Sequence, residues 1–171
     1  MTTPRVAVVV PAAPGLLPSR GAADPFAQVR QVAVDTLRDS LPDADGVAVL
    51  GATDVARSLL EQAGFTGAVA AGETAPLLVV AADGSARRGE KAPGHLDPRA
   101  FDFDEGVRKA LDEGEAATLR GLDLDLALEL LALGAPALRR LGELLPEPRS
   151  AELLYHDDPF GVAYWVARWT T

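Results

Sequence analysis

The run "VAVVV" (Val6–Val10) decides how the rest of the chain is read. It is apolar throughout and β-branched at all but one position. A half-buried strand alternates apolar and polar residues, whereas a continuous run fits a strand covered on both faces. Two later stretches repeat the pattern, "DGVAVLGA" (45–52) and "APLLVVAA" (75–82), and "GAVAA" (67–71) reads as a short strand. Between them the periodicity changes. From Asp24, the spacing Phe26, Val29, Val32, Ala33, Thr36, Leu37, Leu41 predicts a helix, with Asp24 as N-cap and Pro25 at the first helical position. "DVARSLLEQAGF" (54–65) predicts a helix of about three turns closed by Gly64. Pro11–Pro25 holds four prolines and two glycines and reads as a loop.

Beyond residue 98 the character shifts. "DFDEGVRKALDEG", "EAATLRGL", "LDLALELLALG" and "PALRRLGELL" are successive helical segments, each with leucines at three- and four-residue spacing. The chain closes with "SAELLYHDD", a turn at "DPFG", and "VAYWVARW", which read as strands, a hairpin or two sheet strands joined by a turn. Strand–helix alternation followed by helices and terminal strands predicts an α/β fold. It is a single domain with a mostly parallel central sheet flanked by helices.

Composition narrows the function. The 171 residues are 48 % hydrophobic but only 5 % aromatic, so the core is aliphatic. Sixteen Lys and Arg against twenty-five Asp and Glu give a net charge of −9, which argues against nucleic acid as a partner. The absence of cysteine excludes disulfides and thiolate metal sites. The first apolar run is too short to span a bilayer and has the wrong flanks for a signal peptide, so the expectation is a cytoplasmic protein with no membrane partner.

Between the third strand and the helical half lies "DGSARRGEKAPGHLDP" (83–98), a long polar loop without hydrophobic periodicity. It carries Arg87, Arg88 and Lys91 within five residues at a strand's carboxyl end, where open α/β sheets bind ligands. These cations either grip a carboxylate or phosphate, or pair with the protein's own acids, such as Glu90, Asp97 or Asp102. The only histidines, His95 and His156, belong to no HxH or HxxxH pattern. Ser85 lacks the G-x-S-x-G of a nucleophile elbow, and no P-loop or G-x-G-x-x-G is present. The pairs Asp102/Asp104 and Asp123/Asp125 sit at helix starts, where carboxylates satisfy backbone N–H groups and the helix dipole.

The loop with the helix start after it, the helical middle and the ending "AELLYHDDPFGVAYWVARW" together resemble the LigB-like superfamily of class III extradiol ring-cleavage dioxygenases. More narrowly, they resemble its small actinobacterial branch of uncharacterised proteins. The resemblance runs from about Leu77 to the C-terminus, with "VVVPAAPGLLP" colinear at the first strand. It implies an active site at the strand ends and, in the enzymes, Fe(II) held by two histidines and a glutamate, with a further histidine as acid/base. Here Ala12 or Ala13 stands in the place of the first ligand, Gly51, Ala52 or Thr53 in that of the second, and Ala86 in that of the acid/base. Phe103 and Asp104 match the family's "FD", and Glu152 is the candidate carboxylate.

An alanine neither ligates iron nor transfers a proton. The resemblance therefore implies a non-catalytic protein without a cofactor, binding a small anionic ligand at the former active-site pocket. Its candidate ligand-binding residues are Asp83, Ser85, Arg87, Arg88, Lys91, His95 and His156. Two alternatives remain at this point. One is a divergent dioxygenase whose Fe or Zn site is relocated to His95 and His156. The other is an oligomeric or partner-binding scaffold in which "VAYWVARW" presents an edge.

Overall fold

The computed structural model describes residues 3–18, 21, 23–41 and 46–171. Ser19, Arg20 and Ala22 of the proline-rich loop, and Pro42–Asp45 ahead of the second strand, lie outside the described residues. Twelve elements follow in chain order: β1 (Val6–Val10), a 3-10 turn (Pro14–Leu16), α1 (Ala27–Ser40), β2 (Val47–Gly51), α2 (Thr53–Gln62), β3 (Leu77–Ala81), α3 (Arg99–Glu113), α4 (Ala116–Arg120), α5 (Leu124–Glu129), α6 (Ala135–Leu144), β4 (Ser150–Asp157) and β5 (Tyr164–Thr170).

The strands form one sheet in the order β2-β3-β1-β5-β4. β2, β3 and β1 are parallel, whereas β5 runs antiparallel to both β1 and β4. The expectation of a mostly parallel sheet therefore holds for the amino-terminal three strands only, and the sheet as a whole is mixed. β4 and β5 are joined by a short turn, which forces antiparallel pairing. The expected strand at "GAVAA" is reduced to a single bridge between Val69 and Val47. β5 lies between β1 and β4, so "VAYWVARW" presents no edge; the edge strands are β2 and β4.

Both faces of the sheet are covered. Val6, Val8, Val10, Leu77 and Val79 point to one face, where Val29, Ala33 and Leu37 of α1 and Val55, Leu59 and Leu60 of α2 pack on them. Ala7, Val9, Leu78 and Val80, one residue out of phase, point to the other. There they meet Val107 and Leu111 of α3, Leu119 of α4, and Leu138 and Leu141 of α6. The continuous apolar runs are thus explained by the period of two serving two cores at once.

Helix ends follow their local chemistry. α3 stops at Gly114, whose φ of 73° is left-handed, and α2 is followed by Gly64 at φ 98°. Asp123 accepts the N–H groups of Asp125 and Leu126 and caps α5. Asp24 accepts the Phe26 N–H and pairs with Arg30, and α1 itself begins at Ala27. Among the described residues no helix is long and apolar enough to cross a membrane.

The chain's path creates one special place. The connection after β1 leads to α1 on one face, while the connection after β3 leads to α3 on the other, and β1 and β3 are neighbours. Diverging connections open a crevice beyond the carboxyl ends of such strands.

Candidate functional site

Asp83 stands at this divergence. Its carboxylate accepts the backbone N–H of Ala12 at 2.6 Å and so bridges the ends of β3 and β1. Burial pushes its carboxyl up to about 6, against the opposing pull of that N–H. Beside it, on the face of α1 and α2, lies a crevice of about 320 Å³ lined by Ala12, Pro14, Leu17, Ala52, Thr53, Asp54 and Val55. Of the residues standing where the resemblance implies iron ligands, Ala12 but not Ala13, and Ala52 and Thr53 but not Gly51, face the same space.

These residues do not fit Fe(II). The crevice lining offers one carboxylate, Asp54, and no imidazole. Among the described residues no group of three or more His, Cys, Asp or Glu is arranged to hold a metal ion. Glu152 sits on β4 opposite Arg168, which pairs in turn with Val8 in the middle of β1. That places it two strands from β1 and below the strand ends.

The polar loop after β3 is a folded strap. Gly84 N–H donates to Ala163 O at 2.8 Å and Ala163 N–H to Ser85 O at 3.1 Å, so the loop extends the sheet beside the start of β5. Farther on, Arg88 N–H donates to Gly161 O and Asp97 N–H to Arg87 O. Ser85 is fully buried; its hydroxyl donates to Leu130 O at 2.6 Å and accepts the Arg87 N–H. Gly84 leaves no room for a side chain, since a Cβ there would run into Trp165, Asp104 and Ala163.

The three cations go to different places. The Arg87 side chain donates to the carbonyls of His95 and Glu129, tying the strap to the end of α5. Lys91 is exposed. His95 is exposed as well, with a left-handed φ of 58°, its ring nearest the Glu90 carbonyl. Arg88 turns toward α3, where it donates to Asp104 at 3.0 Å and to Asp158 of the β4–β5 turn at 2.8 Å. Its guanidinium also lies 4.8 Å from the Phe101 ring centre.

Asp104 is the residue that sequence reading misassigned. It is 3 % exposed and caps no helix. One oxygen accepts the Ser85 N–H at 2.9 Å and the other accepts Arg88. Burial raises its carboxyl to about 6, although the Ser85 N–H and Arg88 both favour the ionised form. Burial likewise works against the Arg88 charge, but Asp158 and Asp104 hold it above its ordinary value.

Arg88 and Asp104 line an open cleft with Glu105, Arg108, His156, Asp157, Asp158, Ala163 and Trp165. Of the seven candidate residues, the structure gathers Arg88 and His156 here and holds Asp83 apart from them, on the Ala12 N–H. Ser85 is buried between them, and Arg87, Lys91 and His95 lie on the strap outside the cleft lining. No family model and no curated protein matches the chain.

Proposed function

We propose that the protein is a non-catalytic, dioxygenase-like α/β protein that binds a small carboxylate with an apolar body in the crevice beyond β1 and β2. The observation that carries this reading is that Ala12 and Ala52, two of the residues that the resemblance puts in the places of iron ligands, line one crevice of about 320 Å³. That volume falls at the lower end of the roughly 300–1,000 Å³ typical of small-molecule sites. Its walls, Ala12, Pro14, Leu17, Ala52 and Val55, suit an apolar body. Its polar side is the start of α2, where Thr53 and the first-turn N–H groups have no side-chain cap. An anionic head is favoured there by the helix dipole, against the opposing charge of Asp54 in the first turn. The Arg87–Arg88–Lys91 cluster is not needed for this role.

The test is an amide-shift titration with benzoate and butyrate, and with benzamide as the uncharged control. Benzoate is expected to shift the amides of Ala12 and Ala52–Val55 with a Kd on the order of 1 mM or tighter, and benzamide to bind at least about tenfold more weakly. Ala52→Leu, which fills the crevice, removes the response. Shifts that persist in Ala52→Leu, or none with either acid, would overturn the reading.

A further inference from the structure

The Arg88 cleft is a second site, and a fault in β4 builds it. Ala151 and Leu153 of β4 pack on the face that carries α3. Between Leu153 and Tyr155 the pairing with β5 slips by one residue, leaving Leu154 as a bulge. Tyr155 therefore packs on the opposite face, and His156, paired with Trp165, is turned back into the cleft. With regular alternation His156 would lie on the far side of the sheet. Bulges re-aim side chains in this way beside functional sites.

The groups left uncommitted in the cleft define what it takes. Both oxygens of Asp104 are engaged, and both of Glu105 accept from Arg108. Arg88 uses Nε and Nη1, Asp158 one oxygen, and Asp157 one oxygen on the Asp158 N–H. Among the described residues this leaves Nη2 of Arg88, Nη1 of Arg108 and the His156 ring as donors, and the second oxygen of Asp158 as acceptor, while Asp157, paired with Tyr164, turns to the opposite face. Donors able to hold a carboxylate thus share one small cleft with a carboxylate able to hold an ammonium. The cleft volume is about 150 Å³. That is room for several water-sized groups, and so for the ammonium, α-carbon and carboxylate of an amino acid. The cleft is open outward, so a side chain can project into solvent.

We propose that the cleft between α3 and the β4–β5 turn binds a free α-amino acid, its carboxylate on Arg88 and His156 and its ammonium on Asp158. The site is separate from the strand-end crevice and stands or falls independently of it.

Glycine and L-serine serve as probes, with acetate and methylamine as single-charge controls, read by amide shifts and calorimetry. Both amino acids are expected to shift Arg88, His156–Asp158 and Ala163 with millimolar affinity, and each control to bind at least about tenfold more weakly. His156→Ala, at an exposed position on the edge strand, and Asp158→Asn, which keeps an acceptor for Arg88, are each expected to weaken glycine binding about fivefold or more. Ala52→Leu leaves it unchanged. Acetate binding as well as glycine, affinity unaltered in both variants, or no shift with either amino acid would each overturn the proposal. The controls on the unsubstituted protein decide the matter even if a variant fails to fold.

Discussion

At the scale of single residues, the buried carboxylates set the protein's response to pH. Asp83 is held at about 6 in the folded protein against an ordinary value of 3.8, chiefly by burial. Because the folded pKa is raised, the native state binds the proton more tightly across this interval. The stability Asp83 contributes is fully present below about pH 4 and is lost as pH rises through 6. Asp83→Asn keeps an acceptor for the Ala12 N–H and removes the buried charge. Urea titrations are expected to find it more stable than the parent by on the order of 2–3 kcal/mol at pH 7.5, with the difference closing near pH 4. A constant difference across that range would show that the Asp83 charge costs nothing on burial. Asp104 shows why such residues escape a sequence reading. The pattern "DFD" before a helical run has the spacing of a helix start, and the Ser85 N–H and Arg88 that actually engage Asp104 lie 19 and 16 positions away.

At the scale of elements, β4 shows how one residue changes what a strand presents. The sequence "AELLYHD" contains no glycine or proline to signal an irregularity, yet the slip at Leu154 gives Leu153 to one core and Tyr155 to the other. Deleting Leu154 is expected to remove the bulge while keeping Tyr155 opposite Val166 and His156 opposite Trp165. Cross-strand nuclear Overhauser contacts between His156 and Trp165 would persist, and stability would change by less than about 1 kcal/mol, because no core side chain changes face. Loss of those contacts in the deletion variant would show that the extra residue, and not the pairing of Tyr155 with Val166, sets the orientation of residues 155–157. The bulge, together with Glu152, His156 and Asp157, also blunts the β4 edge of the sheet.

At the scale of the whole molecule, the last strand is the keystone of the sheet. β5 joins β1 to β4 and carries Trp165 and Trp169 into the core, with the Trp169 indole N–H donating to Leu111 O at 2.8 Å. Removing residues 160–171 opens β1, detaches β4 and uncovers α3. The truncated chain is expected to lose its cooperative thermal transition and its amide-shift dispersion. A cooperative transition retained after truncation would mean that the parallel half is a folding unit by itself. What the sequence determined alone was the inventory of elements. Continuous apolar runs, helical periodicity and turn residues are local signals, and the three parallel strands and six helices follow from them. The register of the terminal hairpin, the insertion of β5 beside β1, the slip at Leu154 and the partners of Asp104 and Arg88 were decided only by tertiary structure. Each depends on which distant segments share a surface. Pairing energies between β-strands are set by burial and by neighbours far along the chain, and no local pattern records them.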